Sequence, residues 1–261
     1  MPGAVEDRWV DGEAGRVFVR RWPVEGSGRA PIVLLHDSLG SVAQWRELPS
    51  KLAQATSREV IAYDRLGFGK SDPRDERPSP GFVREEATTS FAAVRDALQL
   101  QHFVLFGHSV GGAMALEIAA AEGARCVGVV SESAQAFVEP RTRDGIRNAK
   151  AAFASDAQMA RLQRWHGDKA RWVLEAWTEV WLDASFDDWS LRDCLPRVHC
   201  PVLAIHGDGD EYGSLSFPRT IADGVAGPSR MVVLQCCGHV PHREQEAVVF
   251  EIVTEFLATL D

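Results

Sequence analysis

The chain has 261 residues, 45% of them hydrophobic, which suits one large α/β domain able to bury a full core without disulfides or metals. A net charge of −9 with no lysine or arginine block excludes the concentrated basic face that a nucleic-acid partner needs. Five cysteines, an odd number with no C-x-x-C pair, suggest neither a disulfide framework nor a zinc site, so a reducing, cytoplasmic setting is expected.

The first residues, Met1 to Arg8, lack an apolar signal core, and no stretch reaches membrane-spanning length, so no membrane partner is expected. Residues 9–15 and 16–22 read as two strands of a hairpin, their valines and aromatics alternating with charges. Pro31 to His36 is uniformly apolar and β-branched, the pattern of a central parallel strand covered on both faces. The loop Asp37-Ser38-Leu39-Gly40-Ser41 follows, then a helix predicted over 44–54.

The strand 59–64 leads into Arg65-Leu66-Gly67-Phe68-Gly69-Lys70-Ser71. Its Gly-Lys-Ser ending invites comparison with a phosphate-binding loop, but that loop needs glycine at position 64, where this chain has Asp64. Pro73 to Gly81 is a charged, proline-rich surface loop, and 82–100 carries one apolar helix face (Phe91, Val94, Leu98).

Phe103-Val104-Leu105-Phe106 is a buried strand that stops at Gly107-His108-Ser109-Val110-Gly111, and a helical pattern starts at once. A serine held between glycines at such a junction sits in a tight, strained turn, its hydroxyl raised above the sheet and the N-terminus of the new helix beneath it. Residues 126–131 form another buried strand. From about 134 to 195 the strand signal vanishes and the chain turns helical, holding Trp165, Trp172, Trp177, Trp181 and Trp189 of its eight tryptophans. Trp177 and Trp181 are four apart, Trp165 and Trp172 seven, so each pair can share a helix face. Strands then resume at 200–206 and 231–236, with helices at about 216–224 and in the last stretch (Val248, Val249, Ile252, Phe256, Leu257). Alternating strands and helices imply a mostly parallel sheet with helices on both faces.

The strand, G-x-S-x-G and small-residue helix together resemble the nucleophile elbow of the α/β-hydrolases, and Asp-Arg-x-Gly-x-Gly-x-Ser at 64–71 resembles that family's structural loop after the fourth strand. The resemblance covers the chain outside its middle. It implies an α/β fold with an eight-stranded, mostly parallel sheet, a core made of residues 1–134 and 195–261, and a helical cap of residues 135–194 inserted after strand 6. In that loop Asp64 and Arg65 are expected to form a local ion pair.

A serine hydroxyl is a poor nucleophile at neutral pH and needs an imidazole base, which in turn needs a carboxylate. The family order Ser…Asp/Glu…His points to Ser109, an acid and a late histidine. Among eight histidines, His239 follows Cys-Gly after the last strand, where the family keeps its base; His242 is the fallback. For the acid, Gly-x-x-Asp favours Asp210, with Glu132 and Asp208 open as alternatives and Asp208 expected to cap its turn through Asx hydrogen bonds. The oxyanion-hole donors are expected at the backbone amides of Ser38 and Val110, with Asp37 standing where the family usually has glycine. Trp165, Trp172, Trp177 and Trp181 are expected to form an apolar wall on the substrate side of the cap.

The resemblance implies a cofactor-free, metal-free serine hydrolase, most simply a carboxylic ester hydrolase, acting on an ester or lactone of a small, largely apolar substrate. A carbon–carbon bond hydrolase of diketones would use the same three residues, and a receptor-like binding protein with little turnover is the alternative from another class. Oligomeric state has no readable signal.

Overall fold

A computed structural model describes residues 3–260. Eight strands form one sheet in the order β1-β2-β4-β3-β5-β6-β7-β8. The hairpin β1 (Glu6–Gly12) and β2 (Gly15–Trp22) is antiparallel, and β2 runs antiparallel to β4 (Val60–Tyr63). All other pairings, through β3 (Ile32–Leu35), β5 (Phe103–His108), β6 (Cys126–Glu132), β7 (Val202–Gly207) and β8 (Ser229–Leu234), are parallel. The central strands are short, uniformly buried runs, so alternate side chains feed two different cores. Ile32, Leu34, Val104, Phe106 and Leu203 pack on one face with helices α1 (Leu48–Thr56) and α10 (Glu246–Ala258). Val33, Leu35, Leu105, Val129 and Val202 pack on the other with α2 (Phe82–Glu85), α3 (Ser90–Ala97), α4 (Val110–Glu122) and α8 (Ser216–Gly224). A short α9 (Pro241–Glu244) precedes α10.

Between β6 and β7 lie α5 (Pro140–Ala152), α6 (Asp156–His166) and α7 (Ala170–Leu182). Met159, Leu162, Val173 and Leu174 make a small core of their own around Phe68 from the loop after β4. His166 ties this insertion to the sheet: its Nδ1 accepts from the Gly69 amide at 2.9 Å and its Nε2–H donates to the Leu39 carbonyl at 3.0 Å. Thr142 Oγ1 donates to the Tyr212 carbonyl at 2.7 Å and Glu139 holds Ser214 through both carboxylate oxygens. The insertion is thus anchored on the loops after β3, β4 and β7. Among the described residues no helix is long and apolar enough to cross a membrane.

Three predicted elements change. The helix expected over 82–100 is broken, because the Thr88 and Thr89 hydroxyls both take the Glu85 carbonyl and the backbone turns at Thr89. The helix expected from 44 starts only at Leu48, since Arg46 has φ 52° and ends the preceding 3₁₀ turn. The last strand begins at Ser229, in register with Val202, and stops before Cys236, whose φ of 55° turns the chain away. The sheet edge and this turn together set where the following loop leaves.

Candidate active site

Ser109 follows β5 directly and caps α4 with φ 56° and ψ −127°, a conformation strained for a residue with a side chain. Two glycines permit it. A Cβ on Gly107 would sit 2.0 Å from the Gly111 carbonyl oxygen, and one on Gly111 2.2 Å from that of Leu35. The turn places the Ser109 hydroxyl at the N-terminus of α4, a helix of 13 residues whose dipole favours negative charge there.

The loop after β8 brings His239 over this hydroxyl, with Nε2 3.0 Å from Ser109 Oγ. On its other side the ring's Nδ1–H donates to Asp210, 2.9 and 2.8 Å from the two carboxylate oxygens. Asp210 is almost wholly buried at the end of the β7 loop. Burial, the largest influence, pushes its carboxyl up; the hydrogen bond and charge of His239, with His206 and the Tyr212 N–H, more than offset this and hold it below the ordinary value. The Asx turn in this loop is made by Asp210 itself, whose Oδ1 accepts from the Tyr212 amide at 2.7 Å. Asp208, expected to make it, is exposed and instead faces the Cys237 amide at 3.4 Å, because that loop lies alongside.

The two remaining candidates find each other. Glu132 accepts from His242 Nδ1–H at 2.6 Å, both buried beneath the His239 loop. The base of α4 and the end of β6 are adjacent, and the Ser109 amide donates to the Glu132 carbonyl at 2.8 Å. Glu132 therefore supports Ser109 through its backbone while its side chain points to a different histidine.

Among the described residues the amides of Ser38 and Val110 have no hydrogen-bond partner, and Ser38 lines the cavity that also holds Ser109 and His239. Asp37 is accommodated by turning its carboxylate back: Oδ1 accepts from the Leu39 amide at 2.8 Å, and Oδ2 lies 3.5 Å from His108 Nδ1. Gly40 leaves the room, since a Cβ there would sit 2.9 Å from Asp37 Oδ2.

The cavity at Ser109 measures about 260 Å³, with Ile146, Trp177, Trp181, Tyr212 and Val240 among its walls. A second cavity of about 980 Å³ abuts it, sharing Ser38, Trp177 and Trp181. Trp172 lines only the larger one, its ring packed edge-on against Phe68 and directly over Gly67. Trp165 lines neither and is 40% exposed, which corrects the expectation for it. The buried face of α6 is Met159, Leu162 and His166, and Trp165 falls off that stripe.

The profile of the Alpha/beta hydrolase family matches residues 32–252. This chain belongs to the alpha/beta hydrolase family. The hydrolase is 28% identical over 259 residues to the 2-hydroxymuconate semialdehyde hydrolase of Pseudomonas sp. (strain CF600), with 88% of each chain covered. It is 39% identical to the proline iminopeptidase of Lactobacillus crispatus (strain ST1), but over only 90 residues, 34% of this chain and 30% of that one. The crystal structure of the enol-lactonase from Burkholderia xenovorans LB400 matches it with a TM-score of 0.73 at 22% identity, over 96% of this chain and 100% of that one, a likeness of fold.

Several residues of the hydrolase's site escape a reading of its sequence. Gln135 Nε2 lies 3.4 Å from Ser109 Oγ, and His206 Nε2 lies 3.2 Å from Asp210 Oδ2. Glu244 accepts from the amides of Gly238 and Val240 at 2.6 and 2.9 Å, clamping the backbone on both sides of His239. The Tyr212 ring meets that of His239 edge-on at 4.7 Å. No motif marks these positions: Gln135 and Tyr212 act on partners distant in the chain, and His206 and Glu244 on near neighbours that only the loop conformations bring within reach. His108, Glu132 and His242 are the one trio of possible metal ligands among the described residues. The 2.6 Å between Glu132 and His242 is a hydrogen bond, shorter than the roughly 3.3 Å that two ligands about 2.0–2.1 Å from a tetrahedral ion keep. Holding an ion would require opening it.

Proposed function

We propose that the protein is a serine hydrolase that cleaves an ester or lactone bond through an acyl-enzyme on Ser109. One observation carries the proposal: the His239 ring spans Asp210 and Ser109 in a single line of hydrogen bonds, 2.8 Å on one side and 3.0 Å on the other. Asp210, accepting from Nδ1–H, fixes the tautomer that leaves Nε2 free to take the serine proton. Ser109 Oγ attacks the carbonyl as its proton passes to Nε2. The oxyanion forms where the Ser38 and Val110 amides and the α4 N-terminus can stabilise it. His239 then protonates the leaving oxygen, and water deprotonated by the same nitrogen hydrolyses the ester on Ser109.

Residues 135–194 act in this scheme as a cap, with Trp177 and Trp181 over the reacting carbonyl and the polar anchors at His166 and Thr142 setting its height. The apolar part of the wall around Ser109 (Leu39, Ile146, Trp177, Trp181 and Val240), set among polar residues that include Gln44, Glu211 and Arg243, suits a small substrate with hydrocarbon next to the scissile bond. Similarity over 88% of the chain to a 2-hydroxymuconate semialdehyde hydrolase favours keeping a second reading, in which the same residues hydrolyse a carbon–carbon bond of a diketone.

Replacing Ser109 by Ala tests the proposal. Turnover of p-nitrophenyl acetate should fall on the order of 10⁶-fold in kcat with the fold retained. A fluorophosphonate should label the wild-type chain at Ser109 alone. Faster turnover of a vinylogous diketone than of the ester would favour the carbon–carbon reaction. A Ser109→Ala chain with most of its activity would end the proposal.

A further inference from the structure

Cys126 opens β6 and Cys200 stands just before β7, 74 positions further on, with their sulfurs 3.8 Å apart. β6 and β7 are neighbouring parallel strands, and the Val129 amide donates to the Pro201 carbonyl at 3.0 Å, so their starting ends are held side by side. Strict alternation along β6 would keep the two sulfurs apart. Val129 packs in the core that contains Val202 and Val130 in the other, so alternation assigns Cys126 to the face of Val130. A bulge reverses this. Phe103 pairs with Cys126 and Val104 with Gly128, which leaves Val127 as an extra residue. Cys126 thereby joins the core of Val129 and Val202, against which Cys200 also packs, while Val127 turns to the opposite core.

The two thiols differ in their surroundings. Cys126 is buried, and Cys200 is half-buried beside the exposed His199. Burial, the largest influence, keeps Cys126 a thiol, whereas the hydrogen bond with Cys126 holds Cys200 below the ordinary thiol range against its own burial. Cys200 is thus the sulfur that a reagent from solvent meets first, with Cys126 directly behind it. Of the other cysteines, Cys194 and Cys237 are buried, with burial pushing both thiols up, and Cys236 is exposed. A bond between Cys126 and Cys200 would close a ring around residues 127–199, which include α5, α6 and α7 of the insertion.

We propose that Cys126 and Cys200 form a reversible dithiol–disulfide pair, oxidised by a low-molecular-weight disulfide of the glutathione type, that clasps the two ends of the insertion together. The Cys200 thiolate attacks one sulfur of the reagent, forming a mixed disulfide and releasing one reagent thiolate. Cys126 then attacks Cys200 Sγ, its proton passing to the released thiolate, and the Cys126–Cys200 bond forms as the second reagent thiolate leaves. Two protein thiols are oxidised, and one reagent disulfide is reduced to two thiols. The sulfurs must close from 3.8 Å to about 2.05 Å. Neighbouring strands, about 4.8 Å apart, lie within the Cα separations of about 4.4–6.8 Å that disulfides span. The pair sits at the opposite end of β6 from Glu132, roughly 20 Å away by the rise of a strand of 7 residues, so it acts on stability and not on the reacting groups.

Incubating the reduced, folded wild-type chain with oxidised glutathione, alkylating it and mapping its peptides by mass spectrometry tests the pair. The peptides of Cys126 and Cys200 should be joined, and dithiothreitol should release them. Cys126→Ser should trap glutathione on Cys200, whereas Cys200→Ser should leave Cys126 a free thiol. Glutathione retained on Cys200 of the wild type, with Cys126 alkylated only after denaturation, overturns the proposal, as does modification of Cys236 alone. The wild-type map needs no variant, so a misfolded substitution leaves it decisive. By closing so large a ring in the unfolded chain, the bond should raise the melting temperature by about 5–10 °C over the reduced chain, a rise absent from Cys126→Ser treated alike. A joined pair that leaves the melting temperature unchanged or lower overturns the clasp. These readouts involve no ester turnover, so they stand apart from the serine-hydrolase reading.

Discussion

His108 Nε2–H donates to the backbone carbonyl of His239 at 2.8 Å, while its Nδ1 lies 3.5 Å from Asp37 Oδ2. One ring thus links the loop that carries His239 to the loop that carries Ser38. With acceptors at both nitrogens, the protonated imidazole is the form that satisfies both.

The pair has a pH signature. Burial, the largest influence on His108, lowers its pKa, but Asp37, Glu132 and the His239 carbonyl together raise it above the ordinary value. Burial likewise raises Asp37, and His108, His36 and the Leu39 amide bring it well below the usual carboxylate range. A raised histidine contributes stability fully below its unfolded pKa, about 6.5, and loses it as pH climbs through the folded value; a depressed aspartate contributes above about 3.8. His108→Gln should therefore be most destabilised relative to wild type between about pH 4 and 6.5, by about 1.5–3 kcal/mol, with the gap narrowing at alkaline pH. Urea denaturation of both chains at pH 5.5 and 9 measures it, and a gap that widens with pH would contradict the charged pair.

Asp210→Asn should lower kcat about 10⁴-fold with little change in KM, because the amide can favour the His239 tautomer that turns a hydrogen towards Ser109. Asp208→Asn, on the exposed side of the same loop, should stay within a few-fold of wild type. Steady-state kinetics of the two variants side by side separate the two aspartates.

His242 and His239 should part company. His239→Ala should abolish acylation, measured as burst amplitude with a chromogenic ester. His242→Ala leaves the buried Glu132 carboxylate without its partner and should cost about 3–5 kcal/mol of stability. Its kcat, measured below its lowered melting temperature, should remain at least about a hundredfold above that of His239→Ala. Equal kinetic loss in both would place the base at the wrong ring.

Glu86 supplies a second pH test. Burial pushes its carboxyl up to about 7, against the opposing influence of Arg65, Tyr63 and Arg74. The folded chain then keeps a proton that the unfolded chain releases above about pH 4.5, so stability falls from there to about pH 7 and levels off beyond. Glu86→Gln, which can still meet the Tyr63 hydroxyl, should remove that slope and gain up to about 3 kcal/mol at pH 8 while matching wild type near pH 4.5. Denaturation free energies at the two pH values decide it.

What the sequence determined by itself is local or repetitive. The 107–111 turn is legible because its residues are contiguous and Gly107 answers a steric demand from Gly111 itself, although Gly111 makes room for the Leu35 carbonyl of a neighbouring strand. The sheet is legible because its inner strands are apolar on both faces, a requirement each strand states for itself. The pairing of functional groups is not stated that way. Glu132 ends β6 and Asp210 lies in the loop after the adjacent parallel β7, and only the path of the β8–α9 loop decides which of them meets His239 and which meets His242. Arg65 follows Asp64 directly yet faces away from it, because two backbone amides claim the Asp64 carboxylate first. Trp165 and Trp177 look alike in sequence, and the faces that α6 and α7 bury around Phe68 leave one towards solvent and the other lining the cavity at Ser109. Each of these choices is a competition between partners distant along the chain, settled by the packing that brings them together.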